Sequence, residues 1–443
     1  MSTPTTTAPL VAELQHIEAL IADNELQQAA TALNAVQHRV HPRDPRLFLL
    51  GMRLSRQAGN MAGAIELGRR VLALTPNWSI GLIEIAMLLS AAGQHQEALG
   101  LAQKATALEP RNVDILHRAM RVTEAAGQQE QATTLARQMV QLNPDDRVAR
   151  LTLADRLMAN PAGKDEAAAI IEQLLQETPQ DIGVLFTRAK MAHRQGREEV
   201  ARADAETLLR LAPDDERIRY FHAVLHGQTP ATQPESDITA LFDAYAVRFD
   251  KSLWGTLQYR VPQQVAELLV NLHPDRNFNL LDLGCGTGLV GLCVSPIKGS
   301  IIGVDLSSKM IEQAAMHKVY ARFHHINILD ALTHTPSDHY DAITCCDALV
   351  YVGDLTPVIP SAWRILKPGG HFIFSCETAT EDEADLVLRL SYRYAHKASH
   401  VQQLCQQAGF DDVKIEHLPM LRMEGGKPLP GFLVVAHKPA AAA

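Results

Sequence analysis

The octapeptide Leu281-Asp282-Leu283-Gly284-Cys285-Gly286-Thr287-Gly288, followed by Ile301-Ile302-Gly303-Val304-Asp305, decides how the second half of the chain is read. The short apolar run over 280–283 predicts a buried parallel strand. Three glycines at alternate positions then let the chain turn sharply and bring its backbone against a ligand with no side chain between. Asp305 falls 17 positions after the last glycine, where a second parallel strand ends, so its carboxylate is placed to accept hydrogen bonds from both hydroxyls of a ribose. The spacing is G-x-G-x-G rather than the G-x-G-x-x-G that seats a pyrophosphate. The loop is also led by an acid, Asp282, which suits a neighbouring ammonium better than a pyrophosphate.

Downstream, strand and helix signals keep alternating. Ser307 caps a helix that carries Met310, Ile311, Ala314 and Ala315 on one face. Strands follow at 323–326 and at 340–346, the latter ending at Asp347; then come a helix to Leu366, a Lys367-Pro368-Gly369-Gly370 turn and a strand over 371–376. These segments resemble the class I S-adenosylmethionine-dependent methyltransferases, in which the glycine loop is the first motif and an LKPGG turn recurs at this place. The resemblance implies an α/β Rossmann-like domain, a mostly parallel sheet with an antiparallel C-terminal hairpin, and S-adenosyl-L-methionine as cofactor. It implies Gly284, Gly286 and Gly288 against the cofactor, Asp282 near its ammonium and Asp305 on its ribose. Leu306 and Met310 would cover the adenosine, with Asn327 and Ile328 at the adenine. The family usually has an acid where Asn327 stands; an asparagine oxygen still accepts a bond from the adenine amino group, and Asp330 is the alternative.

The first half reads differently. Prolines at 42, 76, 110, 144, 179 and 213 are spaced by 34, 34, 34, 35 and 34 residues. Ala30, Ala64, Ala98, Ala132, Ala167 and Ala201 each lie 12 positions before their proline, and Gly59, Gly93, Gly127 and Gly196 lie 17 before theirs. A 34-residue unit with glycine between two helices and proline after the second resembles the tetratricopeptide repeat. That resemblance implies an N-terminal all-α tetratricopeptide solenoid of six repeats over 10–226, ended by a capping helix from Asp215 to Leu225. Each helix pair buries its apolar face only by stacking on its neighbours. Asn160-Pro161-Ala162-Gly163 interrupts the fourth unit and predicts a longer loop there.

The remaining boundaries follow from composition. Residues 1–9 are polar and expected to be disordered; 227–237, from Gly227-Gln228-Thr229-Pro230 onward, reads as a linker. The methyltransferase-like domain is expected over 238–437, with a tail at 438–443. All six cysteines (285, 293, 345, 346, 376 and 405) lie in this half with no C-x-x-C pair, so they read as reduced packing residues and no metal is expected. Cys345 and Cys346, adjacent on a strand, point to opposite faces and are not expected to share a ligand. No basic and apolar leader and no run of about 18 apolar residues stands in the sequence, which points to a cytoplasmic protein. Forty-one Lys and Arg against 50 Asp and Glu give a net charge of −9 with no lysine-rich block. Nucleic acid is therefore not the expected partner.

Ahead of the glycine loop, the string Leu241-Phe242-Asp243-Ala244-Tyr245-Ala246-Val247-Arg248-Phe249-Asp250 looks like the lid of a bacterial group of predicted methyltransferases fused to tetratricopeptide repeats. The match continues through 257–262, 350–355, 391–396 and 421–426. Tyr245, Tyr259 and Arg260 are expected to close over the methionine end of the cofactor, with Arg260 on its carboxylate.

For catalysis, Asp347 is the best-placed base, because ligands of open α/β sheets bind beyond the carboxyl ends of the strands. Tyr392 and His396 follow the fifth strand, where substrate contacts are expected, and Arg393 beside tyrosines suits a carboxylate substrate. Asp347-Ala348-Leu349-Val350 replaces the N-P-P-Y type tetrapeptide of enzymes that methylate bases and glutamine. The expected function is a methyltransferase acting on a small or carrier-bound molecule, the repeats mediating recruitment of substrate or partner. The alternatives are a protein methyltransferase fed by the repeats, or a non-catalytic scaffold that senses the cofactor. Arg53, Arg56, Arg121, Lys190 and His193 would line a partly basic repeat groove suited to an acidic protein or peptide partner.

Overall fold

The computed structural model describes residues 8–40, 44–158, 160–246, 249, 259–424 and 426–441. The chain divides into two compact units, Met1–Met191 and Ala192–Ala443. No helix among the described residues is long and apolar enough to cross a membrane.

The first unit is all helix. Its elements are α1 (Ala8–Ala22), α2 (Leu26–Gln37), α3 (Pro45–Gln57), α4 (Met61–Leu74), α5 (Ser79–Ala91), α6 (His95–Leu108), α7 (Val113–Ala125), α8 (Gln129–Leu142), α9 (Arg147–Met158), α10 (Lys164–Glu177) and most of α11 (Ile182–Arg194). From α3 onward the first helices of successive pairs begin at 45, 79, 113, 147 and 182, keeping the period of the sequence. Gly59, Gly93 and Gly127 end the first helix of their pairs at φ +77°, +76° and +79°, the left-handed cap that glycine adopts without a Cβ penalty. Ala64, Ala98, Ala132 and Ala167 are fully buried where paired helices meet; in the earliest pair the buried position is Ala29, not Ala30. The interruption at 160–163 is a short 3-10 turn, its backbone held by Asn160 Oδ1 accepting from Ala162 N at 3.0 Å.

Two features differ from expectation. Residues 1–7 and Pro42 lie outside the described residues, but helix α1 begins at Ala8, inside the stretch expected to be disordered. Arg53, expected to present charge to a partner, donates instead to Glu18 and Glu84, each at 3.0 Å, and Arg118 shares Glu84. Lys190 sits 4.5 Å over the Phe186 ring, and Arg56 and Arg121 are exposed.

The second unit opens with α12 (Glu198–Leu211) and α13 (Glu216–Leu225), then α14 (Glu235–Tyr245), α15 (Val261–Leu272) and a nine-stranded sheet. Strands β1 (Leu280–Leu283), β2 (Ile301–Asp305), β3 (Arg322–His325), β4 (Tyr340–Cys345) and the long β5 (Leu366–Ala379) are parallel in the order β3-β2-β1-β4-β5. Beyond them β6 (Leu386–Leu388) and β7 (Tyr394–Lys397) extend the end of β5, and the antiparallel hairpin β8 (Asp412–Glu424) and β9 (Lys427–His437) joins along β5. The KPGG segment lies within β5 as a register irregularity with Gly369 at φ +80°, rather than as a turn ahead of the strand.

Side-chain alternation splits the core into two layers. Leu281, Leu283, Ile343, Cys345, Phe372 and Phe374 pack on one face; Leu280, Ala342, Ile373 and Leu433 pack on the other. Cys345 and Cys346 accordingly belong to opposite layers. The order of strands reverses between β1 and β4, so their carboxyl ends open a crevice at that point.

The compact units divide earlier than the composition of 227–237 suggests. That stretch is strapped onto the sheet: Gly353 N and Asp354 N donate to Ala231 O at 2.8 and 3.0 Å, Gln233 N donates to Tyr351 O at 3.2 Å, and Tyr394 Oη donates to Pro230 O at 2.7 Å. Tyr220 of α13 and His193 lie 6.5 and 6.4 Å from the Tyr392 ring, which holds this end of the helical sequence to the sheet unit.

Candidate functional site

At the β1/β4 crevice the second unit contains a cavity of about 570 Å³, within the range of small-molecule sites. The glycine loop forms one wall. Gly284 is at φ +64°, and a Cβ there would lie 2.5 Å from the Ala348 Cβ, so only glycine lets the loop pass this close to the end of β4. Gly286 and Gly288 also have positive φ; the latter starts helix α16 (Leu289–Val294) and packs away from the cavity against Tyr320 and Ala314.

Asp305 ends β2 and faces the loop. Its Oδ2 accepts from Gly286 N and its Oδ1 from Ser307 N, both at 2.8 Å. Each carboxylate oxygen keeps a second lone pair. Burial raises its pKa against the lowering effect of those amides. Ser307 caps α17 (Ser308–Met316) and donates to Asp243 of α14 at 2.5 Å.

Asp282 is 1% exposed behind the loop, its two oxygens taken by the hydroxyls of Tyr320 at 2.6 Å and Thr344 at 2.7 Å. Burial pushes this carboxyl up to about 6 in spite of both bonds. It lines the cavity, with its hydrogen-bonding capacity largely committed to holding the loop's base.

Asn327 begins α18 (Ile328–His334) as its cap. Its Oδ1 accepts from Asp330 N at 2.8 Å, while its Nδ2 donates to Glu235 and Asp330, both at 2.7 Å. The oxygen expected to serve an adenine is thus used on the helix, and the Asp330 carboxylate, one oxygen of which accepts from Asn327 Nδ2, also lines the cavity. Leu306, Ile328 and Tyr245 also line the cavity, as do the aromatic rings of Phe242, Phe249 and Tyr351, 5.3 to 5.9 Å apart in edge-on pairs.

Several expected residues are elsewhere. Met310 is fully buried in the core and lines no part of the cavity, because its helix turns that face onto the sheet. Arg260 stands at the N-cap position of α15 and is exposed outside the cavity, whereas Tyr259, expected beside it, and Pro262 line the cavity. His396 is 2% exposed, with Nε2 2.9 Å from Gly353 O, and burial lowers its pKa to about 4, so it is a neutral packing residue. Tyr392 sits at φ +62° among Tyr220 and His193, outside the cavity. Of the lid string, residues 247, 248 and 250, with 257 and 258, lie outside the described residues.

Asp347 does line the cavity. It follows β4 at φ +54°, with its N–H on Ser375 Oγ at 2.8 Å. It belongs to an ionic cluster that sequence reading missed. Arg422, 3% exposed on β8, bonds both Asp347 and Glu377; Arg393 pairs with Glu377 at 3.0 Å and with Glu424. Burial pushes Asp347 and Glu377 up, opposed by the two guanidinia; for Arg422 the carboxylates outweigh burial and raise its pKa. The signal lay in the quoted string 421–426, but its partners are 75 and 45 positions away.

Residues 281–374 match the family described as a methyltransferase domain. The ubiquinone biosynthesis O-methyltransferase of Hydrogenovibrio crunogenus is 31% identical over 127 residues, covering 28% of this chain and 52% of that protein. Its counterpart from Alkalilimnicola ehrlichii is 31% identical over 115 residues, covering 25% and 45%. The chain spans about half the length of these curated relatives. Among solved structures, the 1,6-didemethyltoxoflavin-N1-methyltransferase of Burkholderia thailandensis aligns at 16% identity and TM-score 0.37, covering 48% of this chain and 93% of the other. From the glycine loop through β5, the chain carries a class I S-adenosylmethionine-dependent methyltransferase domain.

Proposed function

We propose that the protein is an active methyltransferase that uses S-adenosyl-L-methionine on a small or carrier-bound acceptor. One observation carries this reading: a single cavity joins the glycine loop and Asp305 to a second wall of polar and charged groups at Asp347, Arg393, Arg422 and Glu424. The first wall fits the cofactor. Asp305, already fixed by two amides, would hold the ribose hydroxyls, Asp330 the adenine amino group, and the backbone at Gly284 and Gly286 the methionine portion. When bound, S-adenosylmethionine supplies a methyl group on a sulfonium, open to in-line displacement.

The chain's own part is alignment and exclusion of water. Phe242, Phe249 and Tyr351 give the cavity apolar sides. Asp347, with its pKa raised by burial, is placed to take a proton from an acceptor hydroxyl or ammonium. The curated relatives are named for an O-methylation in ubiquinone biosynthesis, which supports a small-molecule acceptor here.

The 34-residue helix period and the left-handed glycines support a tetratricopeptide array for the helical first unit, recruiting a partner or the acceptor. Incubating the full chain with methyl-labelled cofactor and fractionated cell extract tests the proposal. Label in the small-molecule fraction, absent with Asp305→Ala, is the expected result; label on protein bands alone, or none, would overturn it.

A further inference from the structure

A row of aromatic rings runs along the cavity from the glycine loop to the second wall. Phe249 lies over the loop, where a Cβ at Gly286 would meet its Cε1 at 3.6 Å. Phe242 of α14 stands edge-on to Phe249, with 5.9 Å between ring centroids and 73° between planes. Tyr351, in the short 3-10 turn Leu349–Tyr351 after β4, follows 5.3 Å from Phe242 at 83°. Its hydroxyl is engaged by Arg393, beside Asp347. The row thus begins where the methionine portion of the cofactor is proposed to lie and ends at the proposed base, and a methyl passing from one to the other must pass beside it.

These rings are not core packing: each is only partly buried, and each lines the cavity. Hydrogen bonds on neighbouring atoms hold them in place. Asp243, next to Phe242, accepts from Ser307 Oγ at 2.5 Å, and Gln233 N donates to Tyr351 O at 3.2 Å. Phe242 and Phe249 have no hydrogen bond to offer, and the Tyr351 hydroxyl is taken, so what remains for a ligand is the electron-rich face of the rings. Rings at steep mutual angles make a concave corner, and aromatic cages hold cations that carry carbon rather than N–H groups, such as quaternary ammonium. A sulfonium is a cation of this kind, with three carbon substituents and no proton to donate.

Resting on the function proposed above, we infer that Phe242, Phe249 and Tyr351 recognise the sulfonium and so distinguish S-adenosylmethionine from S-adenosylhomocysteine. The two ligands share adenine, ribose and amino-acid groups and differ by one methyl and its positive charge. Contacts at Asp305, Asp330 and Gly286 therefore serve both alike, and the ring corner is where the charged form gains affinity. This favours exchange of the neutral product for fresh cofactor.

The test titrates both ligands by calorimetry into the full chain and its variants and compares the ratio of the two dissociation constants. Phe242→Leu and Phe249→Leu are each expected to weaken S-adenosylmethionine about three- to tenfold more than S-adenosylhomocysteine. Tyr351→Phe, which keeps the ring and drops the hydroxyl, should leave the ratio within twofold. Replacing Phe242 by its trifluoro and pentafluoro forms keeps shape and packing while draining the ring face of electron density, and should shift the ratio stepwise in the same direction even where the leucine variants fold poorly. Both affinities falling alike, or a ratio indifferent to fluorination, would overturn the inference. Failure of both ligands to bind the unmodified chain would instead strike at the proposed function.

Discussion

Placing alanine at Gly284 and at Gly286 separates two costs that the glycine loop avoids. Both residues have positive φ, +64° and +53°, so either alanine incurs the left-handed penalty of about 1–2 kcal/mol. Only Gly284→Ala adds a collision: its Cβ would lie 2.5 Å from the Ala348 Cβ, whereas at Gly286 the nearest atom is Phe249 Cε1 at 3.6 Å. Relieving an overlap of that depth costs about 1–3 kcal/mol more. Gly284→Ala should therefore destabilise the sheet unit by about 2–5 kcal/mol and Gly286→Ala by about 1–2. Ala348→Gly alone forfeits one methyl, about 0.8 kcal/mol, but combined with Gly284→Ala it should return roughly 1–3 kcal/mol as a coupling energy. Native-state hydrogen exchange of peptides covering β1 and β4 reads these values for the second unit alone. Equal losses at the two glycines, or a double variant no better than additive, would refute the account of how loop and β4 fit together.

Three further outcomes follow from the buried charges and the cap. Arg422→Met leaves Asp347 without its paired cation and Glu377 with Arg393 alone and should cost about 3–5 kcal/mol, and adding Asp347→Asn should recover part of it; thermal unfolding of both variants checks this. Asp282 is folded with its pKa raised to about 6, above the unfolded value near 3.9, so the native state binds the extra proton and stability falls as pH rises from about 4 to 6. Asp282→Asn should lack that fall, about 3 kcal/mol when read as the difference between wild type and variant in urea unfolding across this window. Asp330→Ala should weaken S-adenosylhomocysteine binding about tenfold, whereas Asn327→Ala should lower stability by about 1 kcal/mol through its lost cap; calorimetry alongside melting separates the two.

The parts of the site that were legible in the sequence are those built from local rules. Glycine spacing, the apolar run of β1 and the acid closing β2 each depend on a few neighbouring residues, and the structure sets them around one cavity. The helix period of the first unit was legible because each pair repeats the same contacts. Asn327 was visible as a departure, and its capping role follows from Asp330 three positions on. What stayed hidden is non-local. Arg422 meets Asp347 and Glu377 only because β8 returns beside β5 through β9. Arg393 looked like an anion site because its carboxylates come from other strands. His396 and Tyr392 carry catalytic side-chain types, yet β7 and the turn before it direct them toward Gly353 and α13. The stretch 227–237 has the composition of a linker, and backbone bonds to 351–354 make it part of the sheet unit.

The most direct test of the central claim is calorimetric titration of S-adenosylmethionine and S-adenosylhomocysteine into the full chain and into Asp305→Ala. Micromolar binding that Asp305→Ala weakens at least tenfold, about 1.4 kcal/mol, is the predicted result. Binding of neither ligand to the wild-type chain, or binding that Asp305→Ala leaves unchanged, would contradict it.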